Sequence, residues 1–397
     1  MMQRLLTLFL LLLFGIAGQS LADTVLVLPF HNGSASSNLN WIGESLAESV
    51  RESMAEEGVM VLGREDRVEA YRRLTLRPEA FLTRASIIKL ARALDAEKIV
   101  YGQFDFTPAA AGGKTRGALS ITAHLLDLRN LKEGPELTEV GPLEDLARLQ
   151  SHLSWEALKL VSPESVPDEG EFRRRHPPIR VDALENYIRG LIASNPDDKQ
   201  KFFLQAVHLD SGFSQSCFQL GLLYWRKKDY KSAAQWLEKV AAADVHYRQA
   251  SFFLGLSRYY AGDFAGAQSA FQIVAEAVPL NEVYNDLGAA ESRRNLPQAL
   301  PDFNRALDGD PSDPDYHFNI GYFLWKQGNF KPAADRFRAV LERDPDDSEA
   351  AAFLDRCLEH SGPRPGESQT AGRERLKTNY EESAYEQLKA VLHPKKS

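Results

Sequence analysis

The spacing of apolar residues divides the chain into parts of different structure. Residues 24–30 are apolar on both faces, which is typical of a strand covered by helices on each side. After a loop rich in Gly, Ser and Asn, apolar residues recur every four positions and predict an amphipathic helix: Ile42, Leu46, Val50 and Met54. Further strands are predicted at 59–62, 98–106 and 118–128, and further helices at about 65–74, 84–94 and 142–161. This order of elements predicts a small mixed α/β domain over residues 23–161.

A longer period governs the second half of the chain. An apolar residue followed by glycine recurs at spacings of 34, 33 and 33 residues, at Leu220-Gly221, Leu254-Gly255, Leu287-Gly288 and Ile320-Gly321. A small, a large and a small or branched residue follow each pair at nearly constant offsets: Ala233/Leu237/Val240, Ala267/Phe271/Val274, Ala299/Phe303/Ala306 and Ala333/Phe337/Val340. Glycine on one helix and alanine on the next let two backbones approach closely. The pattern predicts about five stacked helix pairs, counting a divergent first unit that begins near Ala183.

This register is strongly similar to the tetratricopeptide repeat. The resemblance covers residues 181–346 and implies a right-handed superhelix of helix pairs, with residues 347–360 as a capping helix. The expected fold class is therefore α+β overall, a small mixed α/β domain followed by an all-α tetratricopeptide-repeat solenoid. The resemblance also implies that the first helices of the pairs line a groove that receives peptide segments.

First-helix positions seven residues apart share the face of that expected groove. They hold Phe218/Trp225, Phe252/Tyr259, Asn285/Ser292 and Phe318/Trp325, an aromatic stripe interrupted by one polar repeat. Aromatic side chains bury a large area at a low entropic cost, which suits a binding surface. The candidate partner-binding residues are Phe218, Trp225, Phe252, Tyr259, Asn285, Arg293, Phe318, Asn319, Tyr322, Trp325 and Lys326. The alternative is that the aromatic residues belong to the core between repeats or pack against the α/β domain.

One peptide-binding device of related proteins is not expected. Chaperone adaptors hold a carboxy-terminal carboxylate with a clamp of lysine and asparagine residues. In this chain Phe218 and Leu222 occupy positions where that clamp needs polar groups.

The first 22 residues have the layout of a secretory signal peptide. Arg4 precedes an apolar stretch, and Ser20-Leu21-Ala22 offers small residues at a cleavage site. An uncleaved anchor is the competing interpretation, but the apolar stretch is shorter than the roughly 20 residues that span a bilayer. We therefore expect a periplasmic or secreted mature chain without a transmembrane segment.

The α/β region also resembles a known family. VLPFHN at the first strand, NWIGESLAESV at the first helix and LARALDAEKIVYGQFD followed by LSITAHLLDL carry the resemblance over about residues 24–160. They are similar to the amino-terminal domain of the TolB type, also found in FlgO-like and CsgG-like envelope proteins. That resemblance implies a binding or assembly module and supplies no active site.

Two segments outside these domains are expected to lack a core. Residues 162–180 contain four prolines among mixed charges and are interpreted as a linker. Residues 361–397 are interpreted as a flexible tail with one amphipathic helix over 376–392, on which Leu376, Tyr380, Ala384, Leu388 and Leu392 share a face. Docking of this helix on the repeats and binding to a partner are equally open.

Charge and cysteine content narrow the function. The chain has 47 Lys and Arg against 55 Asp and Glu, and its net charge of −8 argues against a nucleic-acid partner. Cys217 and Cys357 are too few for a thiolate zinc site and are expected to be buried free thiols. The scattered histidines have no metal-ligand spacing, so we expect no metal and no cofactor.

Motifs that suggest chemistry have simpler explanations. GGKT at 112–115 lacks the upstream glycine of a phosphate-binding loop and joins two strands. His31 and Asn32 follow the first strand, where α/β folds often bind ligands, but a loop-capping role is favoured. The acidic runs 308–315 and 344–347 fall between repeats, where aspartate caps helices, so capping is favoured over calcium binding.

The sequence thus predicts a non-enzymatic scaffold or adaptor of the bacterial cell envelope. Its partner is expected to be a protein or peptide held in the groove, and the oligomeric state is left open. Two other hypotheses are an envelope sensor that binds a small ligand or polymer through the α/β domain, at the loop 30–38, and a hydrolase built on unrecognised carboxylates.

Overall fold

The computed structural model describes residues 24–77, 80–109, 116–164, 166–364, 374–382, 384–385 and 389. The expected signal peptide and the GGKT segment at 112–115 lie outside the described residues. The chain divides into two compact units, one made mainly of residues up to Ser194 and the other mainly of Asn195–Tyr385.

The first unit is built on a mixed sheet. Its strands are β1 (Val25–Val27), β2 (His31–Asn32), β3 (Lys98–Pro108), β4 (Gly117–Asp127), β5 (Lys132–Glu133) and β6 (Leu137–Pro142). β1 and β2 both run parallel to β3, which pairs antiparallel with β4, and β4 pairs antiparallel with β5 and β6. The strands predicted at 98–106 and 118–128 are therefore present as β3 and β4, a long antiparallel pair.

Helices cover both faces of this sheet. They are α1 (Asn40–Glu56), α2 (Arg64–Arg73), α3 (Arg84–Arg92), α4 (Leu146–Val161), α5 (Glu169–Arg175) and α6 (Val181–Ile192). Val25 and Val27 pack in one apolar cluster with α1 and α4, whereas Leu26 and Leu28 pack in another with α2 and α3. This two-sided burial explains why the first strand is apolar at every position.

Three details of the sheet differ from the prediction. The first strand is interrupted because Pro29 has no N–H and the Phe30 N–H donates to the Gly43 carbonyl instead of the sheet, at 3.0 Å. Residues 59–62 contribute only one isolated bridge, between Val25 and Val61. β6 is unforeseen because its residues are partly exposed and alternate only weakly in hydrophobicity.

The predicted linker at 162–180 is partly folded. Residues Glu169–Arg175 form α5, and the Asp168 side chain caps it by accepting from the Glu171 N–H at 2.9 Å. Phe172 is fully buried in the cluster around Val25 and Leu158. Phe172 and the ion pairs of Arg175 with Glu57 and of His176 with Glu56 attach this short helix to the domain, and the polar composition of the whole segment gives no sign of it.

The second unit is an array of antiparallel helices. They are α7 (Pro196–Leu209), α8 (Ser214–Arg226), α9 (Tyr230–Leu237), α10 (Tyr247–Tyr260), α11 (Phe264–Ala277), α12 (Asn281–Arg293), α13 (Ala299–Gly309), α14 (Pro314–Lys326), α15 (Phe330–Arg343) and α16 (Ser348–Leu358). Pairs α8/α9, α10/α11, α12/α13 and α14/α15 are the predicted repeats. The predicted divergent first unit is divided, because α6 packs on α1 of the first unit and α7 lies in the second.

The repeated glycines explain how tightly each pair packs. A Cβ placed on Gly255 would lie 2.6 Å from the Phe271 ring, and one on Gly288 would lie 2.8 Å from the Phe303 ring. Gly321 faces Phe337 at 3.1 Å in the same way, and Gly221 faces Leu237 still more closely. Each glycine therefore makes room for the large residue of its partner helix.

Candidate functional site

The site that the structure assembles is the face of the array formed by its first helices. Residues 374–382, which we call the strap, lie along α10, α12, α14 and α16 on this face. Residues 374–381 contain no helix, although the spacing predicts one from Leu376 onward. Leu376 and Tyr380 instead pack against the apolar cluster of the array.

The first residue of the strap, Glu374, places its carboxylate in a buried pocket of the array. The Glu374 side chain is fully buried, and Lys326, which is 3% exposed, donates to its Oε1 at 2.8 Å. The Ser292 hydroxyl donates to the same oxygen at 2.8 Å, and the Tyr259 hydroxyl donates to Oε2 at 3.1 Å. Three helices thus supply one donor each to a single carboxylate.

Lys326 is itself held in place. Its Nζ also donates to the Ser292 carbonyl at 3.1 Å and lies 4.9 Å from the centre of the Tyr322 ring. Burial lowers the pKa of Lys326, and the Glu374 carboxylate opposes that shift. A buried ammonium without an anion is costly, so this position favours an acidic ligand group.

Two asparagine side chains form hydrogen bonds with the main chain of the strap. The Asn319 side chain accepts from the Arg375 N–H and donates to the Arg375 carbonyl, both at 2.8 Å. Asn285 donates to the same carbonyl at 2.8 Å and accepts from Asn319 at 2.7 Å. The Lys377 N–H then donates to Asp286 at 2.8 Å. These contacts fix the register of a non-helical segment without selecting its side chains.

Acidic residues surround the basic side chains of the strap. The Arg375 guanidinium lies 3.6 Å from the centre of the Phe318 ring and donates to both oxygens of Asp347, at 2.7 and 3.0 Å. Lys377 Nζ lies 2.7 Å from carboxylate oxygens of both Asp313 and Asp315. This end of the face therefore selects positive charge.

The pKa shifts follow from these contacts. Burial alone would raise the pKa of Asp347, but hydrogen bonds from Arg375 and from the Ala350 N–H hold it below its usual value. Burial would lower the pKa of Lys377, but Asp313 and Asp315 raise it. Complete burial raises the pKa of Asp286 well above its usual value.

Six sequence-predicted groove residues contact the strap. Asn285, Asn319, Lys326, Tyr259 and Phe318 make the contacts above, and the Phe252 ring lies 4.7 Å from the Tyr380 ring. The lysine and asparagines of the later repeats thus hold a carboxylate side chain and the main chain of Arg375, whereas the lysine–asparagine clamp was judged absent on Phe218 and Leu222 alone.

The other predicted residues pack within the array. Trp325 is 1% exposed and donates to the Ser361 carbonyl at 2.8 Å. Tyr322 is buried with it against Phe353. Three further residues contact neighbouring rings: Phe218 stacks on His246, Trp225 lies against Tyr230 and Phe253, and Arg293 lies over Phe264. These aromatic residues therefore belong mainly to the core.

The carboxylates that bind Arg375 and Lys377 were not predicted from the sequence as part of the site. Asp313 and Asp347 do cap α14 and α16, accepting from the Asp315 and Ala350 N–H groups at 2.9 Å, as the capping interpretation expects. The same carboxylates also bind Lys377 and Arg375. The sequence signal for this contact is the opposite charge of the basic residues in 375–377 and of the two acidic runs. These segments lie tens of residues apart in sequence, so the signal did not indicate that they meet.

Comparison with known families agrees with this architecture. Family models described as tetratricopeptide repeat match residues 214–244, 253–314, 288–348 and 318–362. Within these matched ranges the helical array consists of tetratricopeptide repeats. The matches do not extend to the divergent first unit near Ala183 or to the α/β unit. No curated protein matches the chain.

The solved structures that the chain resembles share limited sequence with it. YrrB, described as a tetratricopeptide-repeat protein with an unusual peptide-binding site, is 22% identical over 43% of this chain and 91% of that chain, with a TM-score of 0.41. MamA from Desulfovibrio magneticus RS-1 is 20% identical over 43% of this chain and 99% of that chain, with a TM-score of 0.38. The LpoB C-terminal domain from Salmonella enterica is 19% identical over 32% of this chain and 86% of that chain, with a TM-score of 0.24. The repeat assignment accordingly rests on the family models.

The α/β unit contains a separate cavity of about 790 Å³. It lies where β1 ends, and its walls include Phe30, His31, Tyr71 and the buried ion pair of Glu44 with Arg67. Arg67 also donates to the Val27 carbonyl at 3.1 Å, which fixes the polar wall to the sheet.

The two residues that the sequence places at this strand end have different roles. His31 lies edge-on to Phe81, with 5.1 Å between the ring centres. Asn32 donates to the Ser36 carbonyl and to Asn40, at 2.9 and 2.7 Å, so its side chain caps the loop as favoured.

Among the described residues, no helix combines the length and apolar character needed to cross a membrane. Both cysteines are buried and unpaired, as predicted.

Proposed function

We propose that this protein is an exported, non-catalytic scaffold of the bacterial cell envelope that binds a partner protein on the first-helix face of its repeats. The observation that carries the proposal is that this face already holds a peptide segment, with main-chain hydrogen bonds, a buried carboxylate and an acidic pocket for basic side chains. Main-chain recognition combined with side-chain pockets is how peptide-binding proteins obtain affinity and specificity.

The envelope assignment has separate support. The first 22 residues have the layout of a signal peptide, and residues 24–160 resemble the TolB-type amino-terminal domain. In this proposal the α/β unit docks to one envelope component while the repeats hold another.

Site-specific photocrosslinking in envelope extracts tests the partner-binding part. A crosslinker in place of the exposed Ser348, which lies on the array between Asp347 and Glu349, should capture a partner when the strap is displaced. Asn319→Ala should reduce capture of the same protein, because it removes both hydrogen bonds to the main chain. Lys331→Ala, on the exposed side of α15, is the matched control. Equal capture by all variants would contradict the proposal.

Export is tested on the full chain expressed in a bacterium with an outer membrane. The amino terminus of the protein recovered from the periplasm should begin at Asp23. Retention in the cytoplasm with an intact amino terminus would contradict the assignment.

The cavity favours a second candidate function, a sensor that binds a small ligand in the α/β unit. Its volume lies in the range of ligand pockets, roughly 300–1,000 Å³. A thermal-shift screen of the full chain should find a ligand whose stabilisation is lost in Val68→Trp, because Val68 lines the cavity. Val140→Trp, at an exposed position on β6, is the control. Ligands that stabilise both variants equally would refute a role for the cavity.

A further inference from the structure

We infer that the strap is a built-in competitor for the partner site, and that the partner presents the same chemistry: a non-helical segment with an acidic residue, a basic residue directly after it and a second basic residue two positions further on. The inference rests on the proposed function, because it names the ligand class of the same face.

The acidic position is set by burial. Glu374 and Lys326 are 0% and 3% exposed, so the carboxylate and the ammonium have both lost their water. Removing one of two buried charges leaves the other unpaired at a large energetic cost. A partner that displaces the strap therefore has to return an anionic group to Lys326, Ser292 and Tyr259.

The two basic positions are set by a concentration of negative charge. Asp313, Asp315, Asp347 and Glu349 all lie within 3.4 Å of a nitrogen of Arg375 or Lys377. Without a basic ligand these carboxylates would repel one another in a partly buried environment. An acidic or neutral segment would leave that repulsion uncompensated.

The register between these positions is set by the main chain. The Asn319 side chain binds both the N–H and the carbonyl of Arg375, and the Asp286 side chain accepts from the Lys377 N–H. A helical ligand would use these groups for its own hydrogen bonds, so the face selects a non-helical one. Tyr380 then reaches Phe252, which favours an apolar or aromatic residue six positions after the acidic one.

The strap has an advantage over any free ligand because it belongs to the same chain. A tethered segment acts at an effective concentration that is set by the length of its connection and can reach the millimolar range. Only nine residues, 365–373, separate the strap from the described end of the array at Arg364. Partner binding therefore requires strap release, and variants that weaken the strap should open the face.

The test uses a fluorescent peptide of residues 371–385 and the full-length chain. Its affinity is measured by anisotropy for the wild type, for a strap-weakened variant and for a control. Glu374→Lys with Lys377→Glu reverses two of the strap's charges, whereas Thr378→Ala with Asn379→Ala changes two exposed strap residues without a described contact to the array. The peptide should bind the charge-reversed variant at least about tenfold more tightly than the wild type or the control. Equal affinity for all three would overturn the inference.

Changes in the peptide make the test independent of protein folding. A peptide with Glu374→Gln, and one with Arg375→Ala and Lys377→Ala, should each bind the charge-reversed chain at least about tenfold more weakly than the original peptide. Unchanged affinity would show that the face does not select these groups. If sedimentation shows a wild-type dimer that the charge reversal abolishes, the strap serves a second copy and the inference is overturned.

These outcomes are separable from the proposed function. Failure of the peptide to bind, combined with partner capture that depends on Asn319, would remove the inference and leave the scaffold proposal. Peptide binding without capture of any partner that depends on Asn319 would support the ligand class inferred for the face and contradict the scaffold proposal.

Discussion

Replacement of Lys326 by methionine should open the strap. The substitution keeps most of the side-chain volume but removes the charge that faces Glu374 in a site where both groups are almost fully buried. Breaking a buried ion pair by removing one partner costs about 3–5 kcal/mol. Since each 1.4 kcal/mol is a factor of ten, the open population should rise by about two to three and a half orders of magnitude, up to the limit of complete release.

Limited trypsin digestion of the full chain measures this opening. Trypsin cleaves after Arg375 and Lys377, whose side chains are held by Asp347, Asp313 and Asp315 in the docked strap. When closing is faster than cleavage, the cleavage rate tracks the open population. Cleavage at these two bonds should therefore accelerate by about the same factor in Lys326→Met.

A double substitution provides the internal check. Adding Glu374→Gln to Lys326→Met removes the unpaired carboxylate, so part of the lost protection should return. Lys331→Met, on an exposed lysine of α15, should leave cleavage unchanged. Identical cleavage rates in the wild type and Lys326→Met would refute the view that this pair holds the strap.

Four further predictions follow from separate parts of the structure. Gly255→Ala should destabilise the array by about 1–3 kcal/mol and Gly321→Ala by less, because the added Cβ would lie 2.6 Å from the Phe271 ring in the first variant and 3.1 Å from the Phe337 ring in the second. Urea unfolding followed at 222 nm measures both changes. A gain of stability in both variants, which helix propensity alone predicts, would contradict this. Phe172→Ala should cost the α/β unit about 3–5 kcal/mol whereas Arg174→Ala, at an exposed position, costs almost nothing; equal thermal stability of the two variants would show that α5 is not part of the core. Burial and the nearby Asp302 raise the pKa of Glu291 to about 7. The stability that the protonated carboxyl contributes is therefore present below its ordinary pKa of 4.5 and is lost as the pH rises through 7. Glu291→Gln should have a higher unfolding midpoint than the wild type at pH 8 but not at pH 4, and the reverse order would contradict the shift. Burial raises the pKa of Cys357 to about 11, so dithionitrobenzoate should label it only upon unfolding, and rapid labelling of the native chain would argue against the packing of α16.

The repeats were predictable because each helix pair repeats the same local contact. Gly288 and Phe303 lie 15 residues apart, and their equivalents recur in every pair, so the sequence alone reports the close approach of two helices. The apolar runs of β1 and β3 were readable for a similar reason, since both faces of the sheet are covered. β6 lacks such a signal because its side chains are partly exposed.

The strap illustrates what a local pattern cannot report. Leu376 and Tyr380 are spaced as on a helix, yet both pack on the array while the main chain between them is bound by Asn319 and Asp286. Glu374 meets donors that come from three helices between residues 259 and 326. Asn285 was named in advance because it occupies the repeat position of Phe318 in the predicted stripe, and Asn319 because it lies beside that stripe, but their ligand was not foreseeable from either helix alone.

Hydrogen exchange of the strap amides tests the central claim most directly. The Arg375 and Lys377 N–H groups donate to Asn319 and Asp286 in the docked state. Mass spectrometry of the wild-type chain should find both amides exchanging far more slowly than in a free peptide of residues 371–385, and Asn319→Ala should remove that protection. Exchange in the wild type at the rate of the free peptide would contradict a strap bound to the first-helix face.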